Sequence, residues 1–110
     1  MGVKSTKIAY FDGSYYEGAV NASGKEHGKG QINYANNDTL KGTFVDGDCT
    51  YAYLTKKNGD SYDGQMRDHK YHGTGKLITK NYQQNGLFRD NRFIHGKIVF
   101  SDGASYEGSL

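Results

Sequence analysis

The sequence predicts an all-β fold: a single-sheet solenoid of about five β-hairpins, with antiparallel strands and no substantial helix. The first observation behind this prediction is a glycine that recurs at a constant interval, at Gly42, Gly64, Gly86 and Gly108, with Gly18 preceding the series. The others are a turn signal ahead of each glycine and alternating apolar residues ahead of the turns. A fixed period of about 20–50 residues is the signature of a repeat architecture.

Each periodic glycine lies between two large residues, one two positions before it and one two positions after it. The residues before it are Tyr16, Leu40, Tyr62, Gln84 and Tyr106, and those after it are Val20, Phe44, Met66, Phe88 and Leu110. Glycine inside a strand is costly and offers no packing, so its recurrence indicates the close approach of another group. We therefore expect an aromatic ladder of mostly buried side chains, each lying against a glycine of a neighbouring unit: Tyr16, Leu40, Tyr62 and Tyr106.

A turn signal ends three residues before each of those preceding positions. Asn-Gly and Asp-Gly pairs suit a type I′ turn, which needs a positive φ at both central residues. Asn tolerates that region better than other non-glycine residues, so the Asn-Asn and Lys-Asn pairs fit as well. The predicted turns are at 12–13, 36–37, 58–59, 80–81 and 102–103. Alternating residues predict half-buried strands before the turns, at Ile8/Tyr10, Ile32/Tyr34, Leu77/Thr79 and Ile98/Phe100.

Two units depart from this pattern. In the second unit, Leu54-Thr55-Lys56 stands where an alternating strand is expected, after the apolar stretch 49–53. Either that strand starts earlier and slips in register, or a bulge realigns it. The third unit is one residue short between Gly75 and Asn81. We expect its turn to differ from the others.

The arrangement resembles the MORN (membrane occupation and recognition nexus) repeat, whose unit combines a Tyr-x-Gly-x-apolar strand, a Gly-x-Gly step and an Asp-Gly turn. The resemblance covers residues 6–110 and is carried by Tyr16-Glu17-Gly18, His27-Gly28-Lys29-Gly30, Tyr62-Asp63-Gly64, His72-Gly73-Thr74-Gly75 and the segment 102–108. Leu40 and Gln84 replace the tyrosine of the pattern, and Thr50 and Ala52 replace the paired glycines of the second unit. The resemblance implies roles in linking membranes, cytoskeleton or attached enzymatic domains.

Length and composition fit one small domain. A chain of 110 residues has the usual size of a single domain. We expect residues 1–5 to be a flexible start and residues 6–110 to be a repeat array from a longer protein. The single cysteine, Cys49, excludes an internal disulfide framework and favours a reducing, cytoplasmic setting. The start Met1-Gly2 fits the N-myristoylation pattern, although a glycine there is equally common at a processed start.

The residues that could carry chemistry follow the repeat. His27, His72 and His95 recur at what we interpret as equivalent loop positions, about 10 Å or more apart along the array, because each unit contributes two strands of about 4.8 Å. Metal ligands must lie within about 2 Å of one ion, so structural hydrogen bonds are the favoured role. Cys49 is expected to be a packing residue. The Gly-x-Gly steps lack the following helix of a phosphate loop. The sequence therefore predicts no enzyme, no cofactor and no metal.

A protein partner is the leading prediction. The formal net charge of +2 gives no strong field for nucleic acid. One face of the sheet is expected to present a shallow groove that binds an amphipathic helix or peptide, with aromatic anchors. The predicted contact residues are Phe11, Tyr15, Tyr51, Tyr53, Tyr71 and Phe93.

Two alternatives stay open. An anionic phospholipid surface would attract lysines at about 1 kcal/mol each, and the candidate lysines are Lys25, Lys29, Lys56, Lys57, Lys70, Lys76 and Lys80. The resemblance also implies a regulatory segment of a larger enzyme, a lipid kinase or a lysine methyltransferase. In either case we expect a cytoplasmic protein associated with membrane or cytoskeleton.

The two end strands predict self-association. Ile8 and Tyr10 begin the array, and Leu110 ends it with Gly108 bare. An open strand edge beside apolar side chains is a template for another strand. We expect end-to-end pairing between copies of the chain, closed as a dimer or running on as a filament.

Overall fold

A computed structural model describes the backbone of residues 4–110 and the side chains of residues 6–110. These residues form one open antiparallel sheet in which each strand pairs only with its neighbours in sequence. The ten strands are β1 (Lys4–Ala9), β2 (Tyr15–Val20), β3 (Glu26–Asn33), β4 (Thr39–Val45), β5 (Asp48–Thr55), β6 (Ser61–Arg67), β7 (Lys70–Ile78), β8 (Tyr82–Arg89), β9 (Arg92–Phe100) and β10 (Ser105–Ser109). The predicted all-β class, with no helix, is confirmed for this part of the chain.

Within residues 4–110, no helix is long and apolar enough to cross a membrane.

The first strand begins closer to the N-terminus than the sequence indicated. Strand β1 begins at Lys4, inside the segment 1–5 for which we expected a flexible start. The remainder of that segment, including the Gly2 of the myristoylation pattern, lies outside the described residues.

Glycine occupies one row that runs across the strands. Gly18 of β2 pairs with Gly30 of β3, and Gly30 pairs with Gly42 of β4. The row continues through Ala52, Gly64, Gly75, Gly86, Gly96 and Gly108. One sequence period therefore corresponds to two strands. In most units a second glycine, outside the periodic series, pairs with the periodic one, as Gly30 pairs with Gly18.

A second row, two residues further along each strand pair, carries large side chains. It consists of Ile8, Tyr16, Ile32, Leu40, Leu54, Tyr62, Leu77, Gln84, Ile98 and Tyr106. Residues two apart on a strand share a face of the sheet, so both rows lie on the same side. We call this side the groove face and the other side the opposite face.

The turns that follow the odd-numbered strands lie where the sequence predicts them, but their predicted backbone type is wrong. Only the last turn residue has a positive φ, which is 92° at Gly13, 75° at Asn37 and 98° at Gly59. The Gly13 amide donates to the Tyr10 carbonyl, and the Tyr10 amide donates to the Ser14 carbonyl. This pattern is typical of a type I turn followed by a bulge, in which a single residue needs the left-handed region.

The Asp or Asn in these turns has a different role from the one predicted. The Ser14 amide donates to Asp12 Oδ1 at 2.9 Å, and equivalent bonds form at Asn36, Asn58 and Asp102. Such a side chain mimics a backbone turn. The turn after β7 differs, as expected for the shorter third unit. There the Thr79 amide donates to the Tyr82 carbonyl at 2.8 Å, and neither Lys80 nor Asn81 has a positive φ.

Type I′ turns are present at the other edge of the sheet, where the sequence analysis did not place them. They connect β4 to β5, β6 to β7 and β8 to β9. Both residues of each pair have a positive φ: Asp46-Gly47, Asp68-His69 and Asp90-Asn91. The three aspartates recur at the same interval as the periodic glycines.

The irregular second unit is explained by a bulge. Leu54 pairs with both Leu40 and Tyr62, so its strand has not slipped in register. The register shifts instead between Thr43 and Phe44, opposite Tyr51 and Cys49. Comparable shifts follow Gly18, Gly64 and Leu87. The bulge is therefore a recurring feature of the sheet.

Candidate functional site

Two tyrosines form the centre of the groove face. The side chains of Tyr16 and Tyr62 are completely buried. Each ring forms a T-shaped pair with a phenylalanine: Tyr16 with Phe44, their centroids 5.1 Å apart, and Tyr62 with Phe88, at 5.4 Å. Edge-to-face pairs of this kind stabilise beyond the area that they bury. Tyr16 and Phe44 belong to a first hydrophobic cluster, and Tyr62 and Phe88 belong to a second. The half-buried Leu54 and Met66 pack against both clusters.

The glycine row leaves space for these tyrosine rings. A Cβ on Gly75 would lie 2.6 Å from Tyr62 Cζ, and a Cβ on Gly30 would collide with the Tyr16 ring. The Tyr16 hydroxyl donates to the Ala19 carbonyl and the Tyr62 hydroxyl to the Gln65 carbonyl, both at 2.6 Å. The predicted contact between a buried ring and a bare backbone is confirmed for both tyrosines.

The other two ladder positions behave differently. Leu40 is buried as predicted, but the residue across from Gly42 is Ala52, and no leucine atom is among the nearest neighbours of Gly42. Tyr106 was expected to be buried and is 43% exposed. It lies on β10, which pairs on one side only. Within the described residues no second strand covers its ring, and the expectation of burial is wrong there.

A first hollow of about 590 Å³ lies on the groove face beside the first cluster. Its lining residues include Tyr10, Phe11, Asp12, Glu26, Ile32, Tyr34, Leu40, Phe44, Cys49, Met66 and His69. A second hollow of about 510 Å³ shares Tyr34, Leu40, Met66 and His69 with it. A third, of about 210 Å³, shares Lys56 and Tyr71 with the second. The three hollows follow one another along the sheet, and we refer to them together as the groove.

The polar groups at the first end of the groove are a tyrosine and a carboxylate. The Tyr10 hydroxyl donates to Glu26 Oε2. Burial, followed by this hydrogen bond to a carboxylate, raises the pKa of Tyr10 well above its usual range. The pKa of the neighbouring Tyr34 is also raised, mainly by burial. Both tyrosines therefore remain neutral hydrogen-bonding groups in the groove.

Cys49 is a buried thiol beside the first end of the groove. Its Sγ lies 3.4 Å from the Tyr51 carbonyl, to which the thiol donates. Burial raises the pKa of the Cys49 thiol to about 11. Because the thiolate is the reactive form, this environment supports the packing role that the sequence predicts.

The six predicted contact residues do not share one surface. Phe11 is fully exposed at the rim of the groove, and Tyr71 lies in it, stacked on Tyr62 with centroids 3.9 Å apart. The register places Tyr15, Tyr51 and Tyr53 on the opposite face. Their surroundings are polar: for example, the Tyr51 hydroxyl donates to Asp63 Oδ1 at 2.6 Å.

Phe93 was predicted as an exposed contact residue, and this is wrong. Its side chain is buried, and its ring packs against Phe88 with centroids 5.2 Å apart. A bulge in β9 is responsible: Leu87 pairs with His95 and Phe88 pairs with Phe93, so Ile94 is the extra residue. Phe93 thus faces the second cluster beneath the groove.

The seven candidate lysines are also dispersed. Lys56 lines the groove. The register places Lys29 and Lys76 on the opposite face. Lys57 and Lys80 lie at the turns after β5 and β7, whereas Lys25 and Lys70 lie at the other edge of the sheet. A flat membrane surface would therefore meet only some of them at once.

The three histidines interpreted as repeat positions lie on strands rather than in loops, and they are not all equivalent. His27 Nδ1 accepts the Asp46 amide at 3.1 Å, and His72 Nδ1 lies 3.8 Å from Asp90 Oδ1. His95 directly precedes a glycine of the glycine row and contacts Ser109. The predicted equivalence therefore holds for His27 and His72 only. Among the described residues, no group of three potential ligands could hold a metal ion.

Several groove residues were missed by the sequence analysis as contact residues. Tyr34 and Tyr10 were visible only as alternating strand residues, and Met66 only as a core position. Glu26 and His69 were not predicted as contact residues, because their place in the groove depends on how residues from the two edges of the sheet approach one another across the groove face. Comparison of the sequence with protein-family models and with curated proteins gives no match to either.

Proposed function

We propose that this chain is a non-enzymatic binding module, a solenoid of five MORN-type hairpins whose groove binds an amphipathic helix or peptide of a protein partner. The observation that carries this proposal is the succession of three hollows on one face of the sheet. Clefts lined by apolar and aromatic side chains with a few polar groups are typical ligand sites. A succession of them along an exposed sheet suits an extended or helical segment.

The lining of the groove supports recognition of an apolar side. Ile32, Leu40 and Phe44 form its floor at the first end, and Met66 lies where the first two hollows meet. Methionine adapts its shape to different neighbours. Leu40 and Phe44 are already buried, but Ile32 and Met66 are only half-buried. A partner that places one apolar residue per turn of helix against them would remove their remaining surface from water, which stabilises by about 25 cal/mol per Å² of apolar surface.

The chemistry of the groove supports binding rather than catalysis. The Cys49 thiol has a pKa of about 11 and is thus protonated at neutral pH. Tyr10 is held by Glu26. We infer that the module joins its partner to a membrane, the cytoskeleton or an attached domain in the cytoplasm. The seven predicted lysines are divided between the faces and edges of the sheet, so direct lipid contact through that set is the weaker alternative.

A selection of phage-displayed peptides against the chain, followed by calorimetry, tests this function. Met66→Glu places a charge in the groove, and Leu87→Glu places the same charge on the opposite face, where Leu87 is 43% exposed. We expect selected peptides to bind the wild-type chain and Leu87→Glu alike, and Met66→Glu at least tenfold more weakly. Circular dichroism would check that both variants fold. Peptides that lose affinity for Leu87→Glu but not for Met66→Glu would overturn the proposal.

A further inference from the structure

The charged side chains that line the groove are mainly acidic. Asp12 and Glu26 line its first end, Asp38 the second hollow and Asp60 the third. Among the described residues, Lys56 is the one lysine or arginine in these linings. The groove is therefore more negative than the chain as a whole, whose formal net charge is +2.

Lysines are concentrated on the opposite face instead. The strand register places Lys7, Lys29, Lys41, Lys76 and Lys97 there. The register also places Arg67, Lys70, Arg89 and Arg92 on that face. The acidic residues that share it by register are Glu17, Asp48, Asp63 and Glu107. The two sides of the sheet thus differ in the sign of their charge. The groove face attracts positively charged partners, and the opposite face attracts negatively charged ones.

Glu26 lies in an aromatic surrounding. The rings of Tyr10, Tyr34 and Phe44 line the same hollow, and Phe11 stands at its rim. The Tyr10 hydroxyl occupies Glu26 Oε2, and no lysine, arginine or histidine within the described chain forms an ion pair with the Glu26 carboxylate. A carboxylate beside aromatic rings is the environment that recognises a cationic side chain, through charge and through cation–π attraction.

We propose that the first end of the groove receives a lysine or arginine side chain of the bound segment, with Glu26 as its carboxylate partner. The occupant is thus a basic amphipathic peptide whose apolar side meets Leu40, Phe44 and Met66. This inference rests on the proposed function, because it names the partner of the same groove. The charge of the groove determines which amphipathic segments it selects.

Three synthetic peptides of about 18 residues, long enough to form a helix, test the proposal by calorimetry with the intact chain. They share one apolar pattern and carry lysine, glutamine or glutamate on the polar side. We expect the lysine peptide to bind about tenfold more tightly than the glutamine peptide and the glutamate peptide to bind most weakly. Glu26→Gln keeps an acceptor for Tyr10 and removes the charge. It should weaken the lysine peptide about tenfold and leave the glutamine peptide unchanged.

Glu17→Gln is the matched control, because it removes the same charge from the exposed opposite face. Equal weakening of the lysine peptide by Glu17→Gln and Glu26→Gln would mean general charge attraction and would overturn the proposal. Equal binding of the lysine and glutamine peptides, still sensitive to Met66→Glu, would overturn it too and leave the groove function standing. Failure of all three peptides to bind would overturn this inference, and if the selected phage peptides failed as well, the groove function would fall with it.

Discussion

The ring of Tyr62 lies directly against the backbone of Gly75 on the paired strand. A Cβ at Gly75 would lie 2.6 Å from Tyr62 Cζ and 2.7 Å from Cε1. The ring cannot move aside easily, because its hydroxyl donates to the Gln65 carbonyl and its face stacks on Tyr71. Tyr16 and Gly30 repeat the relationship in the first cluster. Glycine is thus required by the tyrosine, and each depends on the other.

Gly75→Ala is therefore expected to destabilise the chain strongly. Overpacking of a filled site costs about 1–3 kcal/mol, and displacing the Tyr62 hydroxyl adds about 1 kcal/mol for its lost hydrogen bond. Urea unfolding followed by circular dichroism measures the change. Gly59→Asn is the control, because the equivalent turn already carries Asn37 at a similar φ. It should cost less than about 1 kcal/mol. Equal stabilities for the two variants would contradict the tyrosine–glycine account.

Alkaline pH should destabilise the fold. Burial raises the pKa of the Cys49 thiol to about 11 and raises the pKa values of Tyr16 and Tyr62 above 10.0. Above about pH 9 the unfolded chain therefore holds fewer protons than the folded chain, so unfolding becomes easier as pH rises. We expect the free energy of unfolding in urea to fall from about pH 9 upward. Cys49→Ala should make the first part of this fall less steep. A free energy of unfolding that stays constant from pH 8 to 11 would contradict the prediction.

His69→Gly is expected to stabilise the chain. His69 has a φ of 64° in the type I′ turn between β6 and β7, a region that glycine enters at no steric cost. The gain should be up to about 1 kcal/mol, measured by thermal or urea unfolding. Lys80→Gly supplies the contrast, since the φ of Lys80 is not positive and glycine there only adds freedom to the unfolded chain. A loss of stability in both variants would count against the turn assignment.

Strand β10 should promote self-association. Leu110 is 72% exposed and Tyr106 is 43% exposed beside a strand that pairs only with β9. An unpaired edge next to apolar side chains invites another strand. Light scattering over a concentration series should show a mass above that of the monomer, and Leu110→Lys should shift it toward the monomer. Leu87→Lys, on the opposite face, is the matched control. A mass that stays monomeric throughout would remove the idea.

The periodic glycines and the residues beside them could be predicted from sequence because each pair is local: Tyr16 and Gly18, or Tyr62 and Gly64, belong to one strand. The second glycine of each period was harder to recognise. Gly75 and Gly96 are one residue closer together than the period requires, because the turn after β7 is shorter, and Ala52 interrupts the series. The turn type was mistaken because an Asp-Gly pair serves two backbone geometries, which differ in the φ of the aspartate.

The groove could not be predicted in the same way. Whether a side chain lines it depends on which residues meet across strands and on the bulges that rotate them. The bulge in β9 turned Phe93 inward, and the alternation of faces placed Tyr51 and Tyr53 on the side away from the groove. Glu26 pairs with Val20 at one edge of the sheet and Tyr10 follows β1 at the other edge, so their hydrogen bond requires the sheet to curve across the groove face. No local sequence pattern predicts this hydrogen bond.

Every strand pairs only with its neighbours in sequence, so no strand pairing within residues 4–110 closes the sheet on itself. Low contact order of this kind favours fast folding, which can start at either tyrosine cluster and spread outward. It also gives the molecule a mechanical character. Tension applied between its two ends, across the strands, would load one strand pair at a time. The sheet would then lengthen hairpin by hairpin under small force, each step releasing one repeat of the chain.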